Sequence, residues 1–179
     1  MSSSQWWFVA LVALVSLERL AELRLSTQHA RWAFARGGTE FGTGHYPFMV
    51  VLHTGLLVAC VTEVVALDRP FVVWLGATML VLVVAAQALR WWCIATLGER
   101  WNTRVIVVPG APLVATGPYR RWRHPNYLAV VVEGAALPLV HSAWVTAIGF
   151  TVLNAALLAV RIRVENEALT AGLRSPLPA

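Results

Sequence analysis

The sequence predicts an all-α, polytopic membrane protein with about five transmembrane helices, in a single domain that spans residues 1–179. Of the 179 residues, 58% are hydrophobic and only 13% are charged, and the mean hydropathy is +0.65. This composition is well outside the usual range of a soluble domain. Apolar runs of about 20 residues, the length that crosses a hydrocarbon core, recur along the chain. The arginines fall mainly between these runs, as in membrane proteins.

Five apolar runs are the candidate spans. The first lacks a cleavage-site pattern, so we expect it to remain as a helix of the mature protein. The fourth is the shortest, and Pro138 with the short turn at 139–142 predicts that it forms a helical hairpin with the fifth. The runs cover residues 6–25, 48–67, 71–89, 127–140 and 143–160.

Charge asymmetry predicts the orientation. The second connection carries only Asp68 and Arg69, and the fourth carries no basic residue, whereas the other connections are rich in arginine. The positive-inside rule therefore predicts an extracytoplasmic N-terminus and a cytoplasmic C-terminus in a bacterial inner membrane. The arginines of the cytoplasmic segments are Arg24, Arg31 and Arg36, then Arg100, Arg104, Arg120, Arg121 and Arg123, and finally Arg161, Arg163 and Arg174.

Nucleic-acid binding is excluded despite a net charge of +5, because no soluble nucleic-acid fold remains outside the apolar runs. Cys60 and Cys93 lie inside apolar runs without metal-ligand spacing. We expect both to be reduced core residues, and we expect no metal and no obligate protein partner.

A cationic, turn-rich segment at 116–128 lies immediately before the fourth apolar run. Gly117 and Pro118 break regular structure, and Pro125 suits the first turn of a helix, which places His124 at the N-cap. The helix N-terminus and Arg120, Arg121 and Arg123 together suit an anionic ligand group at the membrane surface. The alternative is that these arginines only mark the cytoplasmic side.

Several polar residues interrupt the apolar runs. Glu133 lies about two turns into the fourth helix, where an acid is costly, so we expect a functional site there rather than a packing residue. His53 and Glu63 lie on different faces of the second helix and are expected to join helices. Glu18, Arg19 and Glu22 are expected to pair with arginines of neighbouring segments at the interface.

Two further segments are candidates for ligand contact. The glycine-rich stretch at 37–47 leads into the second helix, where His45 and Tyr46 form a substrate mouth or belong to a plain connector. In the last helix, Arg161 shares one face with Glu165, and Arg163 shares another with Glu167. We favour the first pair, because Arg161 lies nearer the membrane.

The Gly-Pro-Tyr-x-x-x-Arg-His-Pro-Asn-Tyr segment, the predicted hairpin and the terminal Arg-x-x-x-Glu resemble the isoprenylcysteine carboxyl methyltransferase family over about residues 105–170. The resemblance implies S-adenosylmethionine bound in a cytosolic pocket, without a metal, and a lipophilic acceptor that enters from the bilayer. One departure is that Asn166 follows Glu165, where many members have two adjacent acids. The residues that the resemblance assigns to the cofactor pocket are Val114, Gly117, Tyr119, His124, Asn126, Tyr127 and Leu128.

The resemblance also implies roles for the other candidates. Arg161 steers or stabilises the acceptor oxyanion, Glu165 binds the cofactor ammonium or orients Arg161, and Glu133 faces the acceptor from the bilayer side. The N-terminal half, with its Gly-His-Tyr-Pro at 44–47, is similar to bacterial members that O-methylate alkylpyrones and alkylresorcinols. The expected function is therefore O-methylation of such a lipid or of a prenylcysteine-like carboxylate. The alternatives are an NADPH-dependent membrane reductase and a non-catalytic membrane scaffold.

Overall fold

The structure is a computed structural model that describes residues 1–174, with side chains to residue 171. Five helices form nearly all of its regular structure. Short 3₁₀ turns at Gly98–Arg100 and Gly117–Arg120 follow α3 and precede α4. The helices are α1 (Ser3–Phe34), α2 (Tyr46–Ala66), α3 (Val73–Leu97), α4 (Pro125–Leu139) and α5 (Trp144–Arg174).

Within the described residues, three helical segments are long and apolar enough to cross a membrane: Tyr46–Ala66, Val73–Arg100 and Trp144–Ala171. α1 is long enough, but Glu18, Arg19 and Glu22 interrupt its apolar sequence. α4 has only 15 residues, about 22 Å at the rise of an α-helix, whereas a hydrocarbon core is about 30 Å thick. The five-span topology therefore stays a prediction.

A small antiparallel sheet is the one departure from the all-α prediction among the described residues. β1 (Thr39–Phe41) pairs with β2 (Val105–Val107), with Glu40 opposite Ile106. Arg104 Nη1 donates to Glu40 Oε2 at 2.9 Å beside this pairing. The sheet joins the connection before α2, which carries Arg36, to the arginine-rich connection after α3.

The N-termini of α4 and α5 differ in how polar side chains cap them. α4 begins at Pro125, as the sequence predicts, with His124 at the N-cap position but with no hydrogen bond from its side chain to the helix. The start of α5 is capped from α2: Glu63 accepts from the backbone N–H of Thr146 at 2.7 Å and of Val145 at 3.2 Å. Glu63 therefore joins α2 to α5, as expected. It also pairs with Arg69 of the following connection at 2.8 Å.

α4 lies at the centre of the bundle, between α3 and α5, and the residues Val140–Ala143 connect it directly to α5. Gly134 permits the close approach of α4 and α5, because a Cβ there would overlap the ring of Phe150, with Cδ1 at 2.6 Å. The packing places the N-terminus of α4 beside the C-terminal part of α5. The candidate site is built at this junction.

Candidate active site

Tyr127 of α4 links two charged residues of α5. The buried Arg161 donates from Nε to the Tyr127 hydroxyl at 2.9 Å, and that hydroxyl donates to Glu165 Oε2. The guanidinium carbon of Arg161 also lies 5.6 Å from the centre of the Tyr127 ring. Because Arg161 and Glu165 are one turn apart, the single hydroxyl fixes the position of both side chains.

His124, at the N-cap position of α4, extends this group. Its Nδ1 lies 3.6 Å from Glu165 Oε1, its Nε2 donates to Asn166 Oδ1 at 3.1 Å, and its ring stacks on Tyr127 with centroids 5.3 Å apart. The Glu165 carboxylate raises the pKa of His124 above its usual value, because it stabilises the charged imidazolium. Asn166 thus accepts a hydrogen bond from Nε2 of His124, at the position where many members of the family named above have an acid.

The structure separates the two candidate pairs of the last helix. Arg161 and Glu165 face inward onto α4, whereas Arg163 and Glu167 are exposed. Glu167 lines a shallow surface depression with Asn166 and Thr170. The group around Tyr127 therefore contains the first pair.

The glycine-rich loop before α2 lies against α5 beside this group. Gly42 adopts a φ of +65°, and a Cβ there would lie 2.7 Å from His45 Nδ1 and 2.8 Å from Val164 Cγ1. Burial and the positive charge of Arg161 both lower the pKa of His45. One turn into α2, Met49 Sδ lies 3.5 Å from Arg161 Nη1. The structure therefore brings His45 near Arg161.

Tyr46 points elsewhere: its hydroxyl lies 3.2 Å from Thr103 Oγ1, on the α1 side of the bundle. Gly117, at φ +53°, packs on the end of α3, because a Cβ there would lie 2.6 Å from Thr96 Oγ1. Tyr119 is half-buried, and burial raises its pKa. Val114 lies half-buried in the preceding connection, and Leu128 is 44% exposed on α4.

The side chain of Asn126 leaves one polar atom without a partner. Its Oδ1 is buried and has no hydrogen-bond partner among the described residues, although it lies next to Tyr127 in the first turn of α4. A buried amide oxygen without a donor is costly, by about 1–3 kcal/mol. A ligand that supplies an N–H or O–H group at this position would remove that cost.

Glu133 belongs to a different cluster. Its Oε2 accepts from Arg90 Nη2 of α3 at 2.5 Å, and its Oε1 lies 3.7 Å from Arg19 Nη2 of α1. Glu22 of α1 completes the cluster, because it pairs with Arg19 at 2.7 Å and with Arg90 at 3.7 Å. The contacts of Glu133 thus go to α1 and α3, and the structure does not bring it together with Arg161 and Glu165. Glu22 pairs with an arginine of a neighbouring helix, as expected.

Sequence reasoning missed Arg90. The predicted third span ended at residue 89, one residue before Arg90, whereas α3 continues to Leu97. A lone charge between Leu89 and Trp91, inside an otherwise apolar helix, was the available signal. Four buried polar atoms of this region have no hydrogen-bond partner among the described residues: Arg19 Nε, Glu22 Oε1, Gln87 Nε2 and Arg90 Nε.

Comparisons with known proteins bear on this geometry. The sequence profile described as the isoprenylcysteine carboxyl methyltransferase (ICMT) family matches residues 79–171, which include Arg90, all of α4 and the Arg161 to Glu165 turn of α5. The chain belongs to this family. Its members are methyltransferases, and the family together with the three apolar helices indicates an integral membrane methyltransferase.

Two relatives in bacteria extend over most of the chain. The uncharacterized protein YpbQ of Bacillus subtilis is 39% identical over 163 residues, which cover 90% of this chain and 96% of the relative. An uncharacterized protein of Haemophilus influenzae is 25% identical over 156 residues, which cover 85% of this chain and 88% of the relative. The similarity to alkylpyrone-methylating enzymes is not shown by these relatives.

Proposed function

We propose that the protein is an S-adenosylmethionine-dependent methyltransferase that methylates an oxygen atom of a lipophilic acceptor. The observation that supports this most is the group formed by His124, Tyr127, Arg161 and Glu165 at the junction of α4 and α5. It lies within the part of the chain that matches the methyltransferase family.

The residues around Tyr127 fit the cofactor. When bound, S-adenosylmethionine supplies a methyl group on a sulfonium sulfur. The unpartnered Asn126 Oδ1 suits an amino group of the adenine or of the methionine end, and the Glu165 carboxylate suits a nearby positive charge. Val114, Gly117, Tyr119, His124 and Leu128 form the remaining proposed wall, in agreement with the resemblance stated above.

Arg161 is proposed to hold the acceptor oxygen. Its Nε is engaged by Tyr127, but its Nη1 lies beside a thioether sulfur, which is a weak acceptor and is easily replaced by an oxyanion. Methyl transfer joins an oxyanion and a sulfonium into two neutral products, so a site that excludes water favours the transition state. Arg161 would thus position the acceptor oxyanion, and Glu165 would position a positive charge of the cofactor.

The acceptor is proposed to be a lipid carboxylate, phenol or enol, such as a prenylcysteine-like carboxylate or an alkylpyrone or alkylresorcinol. A phenol or enol has to release its proton before or during transfer, and a neutral imidazole can accept it. His45 is suited to this step, because its lowered pKa keeps it neutral near pH 7 and because it lies near Arg161. Glu133 and Tyr46 stay proposals for the acceptor side.

Calorimetry on the purified protein in detergent tests the cofactor. We expect S-adenosylhomocysteine to bind and NADPH to give no heat of binding. Binding of NADPH in place of S-adenosylhomocysteine would support the reductase alternative, and binding of neither would support a scaffold. Transfer of label from S-adenosylmethionine to a prenylcysteine analogue, an alkylpyrone and an alkylresorcinol then identifies the acceptor class, and methylation of water-soluble acceptors alone would contradict the proposal.

A further inference from the structure

An open cavity of about 400 Å³ lies between the C-terminal half of α1 and the first turn of α2. This volume is within the range of small-molecule sites, about 300–1,000 Å³. The cavity is separate from the group around Tyr127. Its walls include Ser26 and Thr27 of α1, Tyr46 and Pro47 of α2, and Thr103 and Arg104 before β2.

The polar part of this cavity is rich in hydroxyl groups and carries no net charge. Ser26 Oγ lies 2.8 Å from Thr103 Oγ1, which in turn lies 3.2 Å from the Tyr46 hydroxyl. The two charged residues of the wall, Arg104 and Glu40, form an ion pair at 2.9 Å and neutralise each other. Such a wall favours an uncharged group with hydroxyl or carbonyl oxygens over an anion.

The cavity wall also has an apolar part, which includes Leu23 and Pro47. Leu20 lies three residues before Leu23 on α1 and is 55% exposed, and Val50 lies three residues after Pro47 on α2 and is 43% exposed. Residues three apart share a helix face, so each helix extends the apolar surface by one turn beyond the cavity. An amphiphile with its polar head in the cavity therefore has an apolar path for its chain.

The first turn of α2 lies between the cavity and the group around Arg161, because Tyr46 lines the cavity and Met49 contacts Arg161. On the α1 side, the wall residue Ser26 lies one turn from the buried Glu22, whose Oε1 has no hydrogen-bond partner among residues 1–174. The cavity thus adjoins the turn of α2 that contacts Arg161, and it lies one turn of α1 from the buried, ion-paired Glu22.

We propose that this cavity receives the methyl acceptor from the bilayer, and that the acceptor is a single-chain lipid with an uncharged phenol or enol head. The identification of the ligand as acceptor rests on the proposed methyl transfer, whereas binding of such a lipid does not. The neutral wall argues against a carboxylate as the group that enters here. Thr27, Thr103 and Ser26 are then residues that select the acceptor.

Photo-crosslinking tests the binding step without cofactor. The probes are a monoacylglycerol with a photoreactive group near its head and a fatty acid with the same chain and group. Thr27→Phe fills the cavity and leaves no buried donor without an acceptor, because the Thr27 hydroxyl donates to the carbonyl of Leu23 in its own helix. Thr78→Phe is the matched control, because its hydroxyl bonds to Trp74 in the same way on the exposed face of α3.

We expect the monoacylglycerol to label peptides that contain residues 20–27 and 43–51, at least fivefold more than the fatty acid does. Thr27→Phe should reduce this labelling at least fivefold, and Thr78→Phe should leave it unchanged. Equal labelling by both probes, or full labelling of Thr27→Phe, would overturn the proposal.

Competition identifies the ligand. An alkylresorcinol should displace the monoacylglycerol, and Thr27→Phe should raise its KM about tenfold while the affinity for S-adenosylhomocysteine stays the same. If the alkylresorcinol does not compete, the cavity holds a membrane lipid and the acceptor assignment is wrong. If the wild-type protein binds no S-adenosylhomocysteine, the proposed function fails while the labelling result still decides the binding site.

Discussion

The Tyr127 hydroxyl accepts a hydrogen bond from Arg161 and donates one to Glu165. The neutral hydroxyl thereby keeps the Arg161 guanidinium and the Glu165 carboxylate at a fixed spacing. The ring of the same tyrosine stacks on His124. If Arg161 and Glu165 formed a direct ion pair, both would be less available to a ligand. The tyrosine lets the site keep two opposite charges ready for two different partners.

Replacing Tyr127 with Phe tests this arrangement. The change removes both hydrogen bonds and leaves the ring stacked on His124, so the fold is retained. Hydrogen bonds to charged groups are worth about 1.5–3 kcal/mol, so we expect turnover to fall by roughly 10- to 100-fold. Steady-state methylation with labelled S-adenosylmethionine measures it, and unchanged turnover would show that the hydroxyl does not position Arg161.

Arg161 and Glu165 differ from Arg163 and Glu167 in burial, which gives a matched comparison. Arg161→Ala should lower turnover by roughly 10² to 10³ with a smaller effect on S-adenosylhomocysteine affinity, because Arg161 stabilises the oxyanion that the acceptor forms before transfer and holds it in line with the methyl group. Glu165→Gln should impair turnover or cofactor binding, and the exposed Glu167→Gln should be mild. An inactive Glu167→Gln with a normal Glu165→Gln would move the site to Arg163 and Glu167.

The pKa of His124 predicts a pH dependence. The Glu165 carboxylate raises this pKa, so the attraction is complete below the ordinary value of about 6.5 and is lost as the pH rises through the raised value. We expect the melting temperature to decrease over this interval, with a loss of no more than about 1 kcal/mol for a partly exposed pair. Thermal melts between pH 6 and pH 9 measure it, and His124→Gln should flatten the profile.

At the scale of the elements, sequence patterns located the helices better than their ends or partners. The start of α4 at Pro125 followed from proline geometry, whereas α1 runs nine residues past the predicted end of its span because residues 26–34 are helical but more polar than a membrane span. β1 and β2 were missed because three-residue strands have no readable periodicity. Arg90 and Glu133 were 43 residues apart in sequence, so their pairing depended on packing.

The contact between α4 and α5 depends on a single missing side chain. A Cβ at Gly134 would overlap Phe150, so Gly134→Ala should destabilise the protein by about 1–3 kcal/mol, as overpacking does. Gly149→Ala is the control, because nothing lies within 4 Å of its added Cβ. Melting in detergent compares the two, and Phe150→Leu should recover part of the loss in the Gly134→Ala background. Equal stability of both alanine variants would contradict the packing described here.

For the whole molecule, the arginine distribution predicts which side faces the cytoplasm. We expect the connection at Asp68 to be extracytoplasmic, because arginines are scarce around it. We expect the segment at Gly110 to be cytoplasmic, because arginines cluster around it. Alkaline phosphatase and green fluorescent protein fusions at the two positions measure this. Detection of both positions on one side would rule out the five-span topology.

The sheet between residues 39–41 and 105–107 has a consequence for synthesis. β1 leaves the ribosome before α2 and α3, and it has no strand partner until β2 emerges more than 60 residues later, which takes on the order of 3–12 s. During that interval the first connection has no strand partner. We expect coexpression of two halves divided at the Asp68 turn to restore the folded protein, because β1 with β2, and α2 with α5, can then associate between separately inserted pieces.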